Sequence, residues 1–357
     1  MKKCHVVYLV CTAAMIGTGL GAAPASAGHM THVVHPGESI QKAVDAAEPG
    51  DTVLLTPGTY HESVKVSTPG LTLRGMGRST VIKPGTEKAA EDNTCAEGGN
   101  GICVIGTKDE NVKGITVANL TVTGFKRTGL FSMATDGLTV RNVTAVKNGV
   151  WGIAQERSIH GIFRNNTARD NGDAGIFLAN TIKAEEGAVD TQGTEVAHNR
   201  LEGNRIGITV RRLRNLAVAD NRITGNCAGV FVVGDENKPM AGDLVVRDNY
   251  VVRNNKSCPK TDRLEALQGS GIVLTGVEKV LVADNTVEGN SGKSSMSGGI
   301  VLAKSMVGAA NSKNEINGNR LRDNSPADLV NATTGDTAKS NTFTGNTCGA
   351  SKPAGLC

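Results

Sequence analysis

Asn199-Arg200-Leu201-Glu202-Gly203-Asn204-Arg205-Ile206-Gly207-Ile208-Thr209-Val210 is answered one repeat later by Asn221-Arg222-Ile223-Thr224-Gly225-Asn226-Cys227-Ala228-Gly229-Val230-Phe231-Val232. Two elements recur in these stretches, a pair Asn-x-apolar-x-x-Asn and a run Gly-apolar-x-apolar. The pair returns as Asn166/Asn171, Asn249/Asn254, Asn285/Asn290, Asn319/Asn324 and Asn341/Asn346. From Asn171 to Asn346 the second asparagines follow one another at spacings of 33, 22, 28, 36, 34 and 22. The smallest spacing, 22, is the basic unit, and the larger ones are that unit enlarged by insertions. Upstream, Asn119, Asn142 and Asn165 repeat at 23. The glycine run returns at Gly152, Gly175, Gly271 and Gly299. Short alternating runs such as Leu216-Ala217-Val218 and Leu244-Val245-Val246 complete each unit.

One unit therefore holds about three short strands and three bends, with no room for a helix. Strands this short cannot bury a face alone. Stacked in register they bury continuous columns of Val, Ile and Leu, each strand pairing in parallel with its equivalent in the next unit. Asparagine suits the bends, because it tolerates a left-handed backbone and its amide can bridge successive units. An aromatic content of 3% fits a narrow aliphatic interior. The predicted fold is all-β, a right-handed parallel β-helix of about ten coils. A leucine-rich repeat is the nearest rival, and its leucine-dense consensus is absent.

The ends carry other signals. Met1-Lys2-Lys3, the apolar run Val6 to Leu20 and Ala25-Ser26-Ala27 read as a signal peptide over residues 1–27. Its removal takes Lys2 and Lys3, leaving 36 basic against 34 acidic residues, a net +2. That balance gives no reason to expect nucleic acid or an anionic membrane as partner. Residues 28–52 are expected to form a tail and a capping helix, with Ile40, Ala43, Val44 and Ala47 on one face and Ser39 as N-cap. The β-helix is expected over 53–347 and a disulfide-closed cap over 348–357. Cys4 and Cys11 leave with the signal. The remaining six cysteines formally allow 15 pairings. They fall into the sequence-local couples Cys95/Cys103, Cys227/Cys258 and Cys348/Cys357, the expected bridges of an exported chain. Zinc is the rival, without a Cys-x-x-Cys pair or a nearby histidine to support it.

The stretch Ser39-Ile40-Gln41, Pro49-Gly50-Asp51-Thr52-Val53, Pro57-Gly58-Thr59-Tyr60-His61-Glu62 and Leu71-Thr72-Leu73-Arg74-Gly75 resembles the opening of pectin-lyase-like β-helix proteins. The asparagine units are similar to the carbohydrate-binding and sugar-hydrolase repeats of that superfamily, to alginate epimerases and to the accessory β-helix protein of nitrous-oxide reductase maturation. The resemblance implies an extended, possibly acidic polysaccharide as partner. Lyase, hydrolase or epimerase chemistry is one expectation, and a non-catalytic carbohydrate-binding or envelope protein is the other. The Asp-Pro-His-Asp string of alginate epimerases is absent, as are the Asn-Thr-Asp and Gly-His-Gly strings of polygalacturonases. No aspartate cluster of the calcium-dependent pectate lyase kind occurs, so no cofactor is indicated, although calcium remains compatible with the fold. A monomer is expected.

Insertions at Ile182–Thr194, Gly234–Asp243, Lys256–Ser270, Ser291–Gly298 and Lys304–Lys313 all flank the glycine-run strands, and are expected to wall that sheet into a groove. Alternation puts two stripes on its outer face. One is Phe131, Ala154, Phe177, Thr209, Phe231, Val273 and Val301; the other is Met133, Glu156, Ala179, Arg211, Val233, Thr275 and Ala303. Phe177 and Phe231 offer apolar platforms for sugar rings. Glu156 and Arg211, two rungs apart, are the candidate catalytic pair, a carboxylate for proton transfer beside a guanidinium for an acidic group. Asn180, Arg212 and Asp235 at the loop entrances are candidate substrate-binding residues. Loops folding over the aromatic rings, and charges that are merely solvated, account for the same residues equally well. His29 and His32, beside Met30 and near a new amino terminus, give a weaker copper-binding alternative. His160 stands isolated, and His198 is expected to fill a bend.

Overall fold

A computed structural model describes residues 28–85, 93–107, 109–182, 186–262, 264–333 and 339–357; the expected signal peptide, with Cys4 and Cys11, lies outside these residues. The repeat unit folds as anticipated. Three parallel sheets of 12, 10 and 11 strands, here sheets 1, 2 and 3, run the length of the chain. Each coil visits them in turn: Leu213–Ala219 lies in sheet 1, Arg222–Thr224 in sheet 2 and Ala228–Val233 in sheet 3, and the next coil begins at Gly242–Arg247 in sheet 1. The glycine runs form sheet 3. Their first apolar residues stack inward as Leu130, Ile153, Ile176, Ile208, Val230, Ile272 and Ile300, all fully buried.

Space dictates the glycine that opens each run. A Cβ at Gly207 would stand 2.5 Å from Ile223 Cγ2 and 2.6 Å from the Gly229 carbonyl of the next coil. The chain passes too close to its neighbour there for any side chain.

The asparagine pairs as far as Asn319/Asn324 form two buried rows, one in each bend flanking sheet 2. The last pair is out of phase, since Asn346 ends the first row and Asn341 accepts from Asn314 in the bend before sheet 1, so the spacing of 22 from Asn324 to Asn346 is not a coil. In the first row the Asn199 amide donates to Asn221 Oδ1 at 2.9 Å and Asn221 donates to Asn249 Oδ1 at 3.0 Å, continuing through Asn285 and Asn319 to Asn346. The second runs from Asn148 through Asn171, Asn204, Asn226, Asn254 and Asn290 to Asn324, which closes on Asp328. The left-handed backbone belongs to the residue before the first row: Asn165, His198, Asp220, Asp248 and Asp284 all have φ between 54° and 56°. Asn119, Asn142 and Asn165 are such bend residues and not members of the buried row, a distinction their spacing does not carry.

The capping helix α1 spans Ile40–Ala46 with Ser39 as N-cap, and buries Ile40 and Val44 over the first coil. Glu62 completes the cap, accepting from Ser39 Oγ and from the Ile40 and Gln41 amides. The segment read as a tail is already structural: Thr31–Val34 pairs with Thr52–Leu55 as the first strand of sheet 1. Likewise Ser351–Lys352 adds the last strand of sheet 3. Bridges join Cys95 to Cys103, Cys227 to Cys258 and Cys348 to Cys357. No helix among the described residues is long and apolar enough to cross a membrane.

Candidate functional site

The outer face of sheet 3 has the register expected from alternation. Phe177 pairs with Ala154 and Thr209, Phe231 with Thr209 and Val273, and Glu156 is separated from Arg211 by Ala179 alone. The open cleft does not follow. Phe177 and Phe231 are 7% and 4% exposed, inside a second hydrophobic core formed between the sheet and the inserted loops. Trp151, Leu267, Met296 and the Cys227–Cys258 pair contribute to that core. Trp151 stacks on Phe177 at 4.4 Å between ring centroids, and its indole donates to Asp173 at 3.1 Å. A row of Phe, Val and Ala facing water is costly, and apolar residues in the insertions relieve that cost by covering it.

The polar candidates hold these loops in place. Glu156 is buried and accepts the Ile182 N–H at 3.0 Å, while Arg211 donates to the Thr181 carbonyl at 3.0 Å. The two side chains, on either side of Ala179, thus grip the same piece of chain. Buried Asn180 donates to the carbonyls of Glu186 and Gly187, closing the start of that loop, part of which (183–185) lies outside the described residues. Arg212 forms a buried ion pair with Asp235, whose other oxygen accepts the Asn237 N–H. The correction is one of exposure. The six positions lie on the predicted face, but Phe177, Phe231, Asn180, Arg212, Asp235 and Glu156 are packed beneath or into the loops instead of lining a solvent-open groove.

Toward the N-terminal coils the roof thins. Phe131 and Met133 are only half-buried, and the corner after sheet 3 is short, with Arg157 and His160 exposed. There His160 Nδ1 and Asp136 Oδ1 approach to 2.7 Å, with side chains 47% and 29% exposed. Arg157, three residues before His160, is exposed in the same corner, and Lys113 pairs with Asp136 across the small sheet of Val112–Lys113 and Thr135–Asp136. A carboxylate at hydrogen-bond distance from one ring nitrogen holds the exposed imidazole in one orientation and leaves its other nitrogen toward solvent, an arrangement a general base can use. In the sequence His160 stands isolated. The signal was its separation from Asp136, 24 residues, close to one coil.

The histidines near the start are differently placed. His32 bonds Asp51 at 2.9 Å, and Asp51 also accepts the Met30 and Glu48 amides. The His32 bond first, then these two amides, hold the Asp51 carboxyl down at about 2. His29 lies against Gly50. No group of three or more His, Cys, Asp or Glu side chains able to share a metal ion occurs among the described residues.

Known proteins fit this description of the fold. Among solved structures, an alginate lyase from Paenibacillus sp. superposes with a TM-score of 0.56 at 16% identity, over 81% of this chain and 94% of that one. The A-module of a mannuronan C-5 epimerase from Azotobacter vinelandii gives 0.55 at 17%, over 89% and 94%. A family 28 exopolygalacturonase from Yersinia enterocolitica gives 0.53 at 12%, over 88% and 77%. At such identities the likeness is one of fold. No curated protein sequence matches this chain. The model of the right-handed β-helix region matches residues 60–185, 90–242 and 182–306, together more than half of the chain, and the protein therefore belongs to that family.

Proposed function

We propose that this is an exported, monomeric protein that engages an extended acidic polysaccharide, and that the chemistry open to it is proton transfer beside a uronate carboxylate. The observation that carries the reading is the exposed Asp136–His160 pair, 2.7 Å apart at the less covered end of sheet 3. Three disulfides support export to an oxidising compartment. The fold is shared with a lyase, an epimerase and a hydrolase named for uronate polymers, which makes such a polymer the first substrate to try.

In this reading Arg157 neutralises the uronate carboxylate and His160, oriented by Asp136, removes the proton at the adjacent carbon. The electron pair left behind is delocalised into the carboxyl group. It then either expels the glycosidic oxygen at the neighbouring carbon, which leaves as a hydroxyl by taking a proton from water, in elimination, or takes a proton from a water molecule on the opposite face, in epimerisation. Glu156 and Arg211 act as positioning residues, fixing Thr181 and Ile182 at the wall of the site. A second reading, a binding protein without turnover, is favoured by the hydrogen bonds that commit Glu156 and Arg211, the expected catalytic pair, to the Thr181–Ile182 backbone.

The deciding experiment incubates the full protein with alginate and polygalacturonate. It follows ultraviolet absorbance of unsaturated uronates and deuterium incorporation from solvent. Elimination or exchange that falls at least a hundredfold in His160→Ala and Asp136→Asn, with KM little changed, supports the assignment. Binding without either signal selects the second reading. Neither binding nor turnover refutes both.

A further inference from the structure

The inserted loops fold toward sheet 3, including the two that follow sheet 2 strands at 256–270 and 291–298, and Arg200, Arg222, Tyr250 and Arg320 on the outer face of sheet 2 stay exposed. Its strands are mostly three residues long and its bends are the tight Asx and glycine corners of the asparagine rows. One outward column there begins as threonine at Thr121, Thr144 and Thr167. It then runs Arg200, Arg222, Tyr250, Thr286 and Arg320 in direct register. The four steps from Arg200 to Arg320 cover about 19 Å at strand spacing. Arg169 lies in the adjacent column, in backbone register with Glu202 of the next strand.

Three features of this column point to an anionic partner. Arg200 and Arg222 are directly opposed on neighbouring strands, a like-charge pairing that Glu202 relieves on the Arg200 side only and that a bound anion would relieve at Arg222. Arg200 turns to Glu202 of its own strand, but among the described residues Arg169, Arg222 and Arg320 have no carboxylate partner. Tyr250 is the one exposed large aromatic among the described residues, and the Arg222 guanidinium lies 4.9 Å from its ring centroid. A cation fixed against an exposed ring is a surface that can take a carboxylate and the apolar face of a pyranose together.

We infer that this column on sheet 2 is a docking track for a single strand of acidic polysaccharide, separate from the corner that holds Asp136 and His160. A track one side chain wide, with cations on the first, second and fifth of five rungs and Tyr250 between them, suits a thin polymer that alternates acidic groups with apolar ring faces. A nucleic-acid duplex carries two rows of phosphate and would need a second row of cations. The inference deepens the proposed function by adding a surface that anchors the polymer, and so rests on that reading for its choice of polyanion. It does not require turnover.

The test measures binding of the full protein to alginate, polygalacturonate, chondroitin sulfate, neutral dextran and duplex DNA at low and physiological salt. Arg222→Thr with Arg320→Thr is the informative variant. Threonine is what the same column carries on four other strands, so the coil should fold, which circular dichroism checks. Arg74→Thr with Arg141→Thr removes the same charge from sheet 1 as a control. The expected result is binding to acidic glycans and not to dextran, at least tenfold weaker in the sheet 2 variant and nearly unchanged in the control. Preference for the sulfated over the carboxylated chain would identify the acidic group without moving the site, and so also supports the track. Equal affinity of the sheet 2 variant and the parent overturns the inference, as does parent affinity for DNA equal to that for the glycans. Turnover of short oligouronates, if present, should survive in the sheet 2 variant and fail in His160→Ala, so the two proposals fail independently.

Discussion

Replacing Asn221 by alanine removes five side-chain hydrogen bonds from the middle of a buried row. Its amide donates to Val196 O, Ala219 O and Asn249 Oδ1, and its oxygen accepts both the backbone and the side-chain N–H of Asn199, all near 2.9–3.0 Å. The losses are unequal. Asn249 Oδ1 keeps the Asn221 backbone N–H, whereas Asn199 is left with a buried main-chain donor and one amide hydrogen facing a methyl-sized gap. At about 1–3 kcal/mol for each orphaned donor, the variant should lose about 2–6 kcal/mol. Asn221→Asp tests the same arithmetic from the other side. It keeps the acceptor for Asn199 but turns a carboxylate toward three oxygens. Its folded-state pKa should therefore rise, and the variant should gain stability as the pH falls through that raised value. Urea unfolding gives the totals, and hydrogen exchange at the Asn199 amide locates them, since contacts in a solenoid pass only between neighbouring coils. An alanine variant within about 1 kcal/mol of the parent, with unchanged exchange at Asn199, would refute the view that the row is a main support of the stack.

Three further outcomes follow from the packing. Gly207→Ala should cost about 1–3 kcal/mol by thermal unfolding, because the new methyl meets Ile223 and the Gly229 carbonyl inside contact distance. Asp235→Ala should cost about 3–5 kcal/mol by removing the carboxylate from buried Arg212, and pairing it with Arg212→Met should recover most of the loss. Asp51 has a folded value of about 2, below the ordinary 3.8, so its contribution is complete above about pH 4 and disappears as the pH falls toward 2. Exchange at the Met30 and Glu48 amides should accelerate over that interval, and a flat profile would contradict the assignment.

The fold was legible because periodicity is a property of the chain itself. A spacing of 22 between Asn199 and Asn221 records that the two residues stack, and alternation after Gly175 records which side chains face in. The register of sheet 3, including the two steps from Glu156 to Arg211, followed from the same counting. The loops have no period, so nothing in their composition reveals whether they stand as walls or lie down as a roof. That one choice moved Phe177, Phe231, Asn180 and Asp235 from a cleft into a core. Asp136 and His160 were missed for a different reason. They belong to a corner without a strand motif, where only their distance of about one coil gives them away. The Arg200–Arg222–Tyr250 column was legible in principle, since the first two stand one uninterrupted repeat apart at the same place in the unit. The insertions, however, mark the opposite sheet, and a sheet without insertions carries no such flag.

The roof over sheet 3 also supplies its own reporter. Trp151 is the single tryptophan of the chain, 4% exposed and stacked on Phe177 beneath the loops, so its emission reads the state of the second core and of nothing else. Phe177→Ala removes the stacked ring from a site that neighbouring loops can only partly refill. It should cost about 3–5 kcal/mol and shift the emission to longer wavelength. The interior column should be untouched, because Ile176 and Leu178 of the same strand point to the other side of the sheet. Exchange at their amides should match the parent, separating the two cores. The same fluorescence then discriminates between surfaces when an acidic polysaccharide is added. A polymer held on sheet 2, or at the Asp136–His160 corner, leaves the roof closed and the emission unchanged while binding is detected by another probe. A concentration-dependent shift would mean that the loops lift and present Phe177 to the sugar. That outcome would return the aromatic platform to the binding site and displace the reading in which Phe177 and Phe231 serve only to fasten the loops.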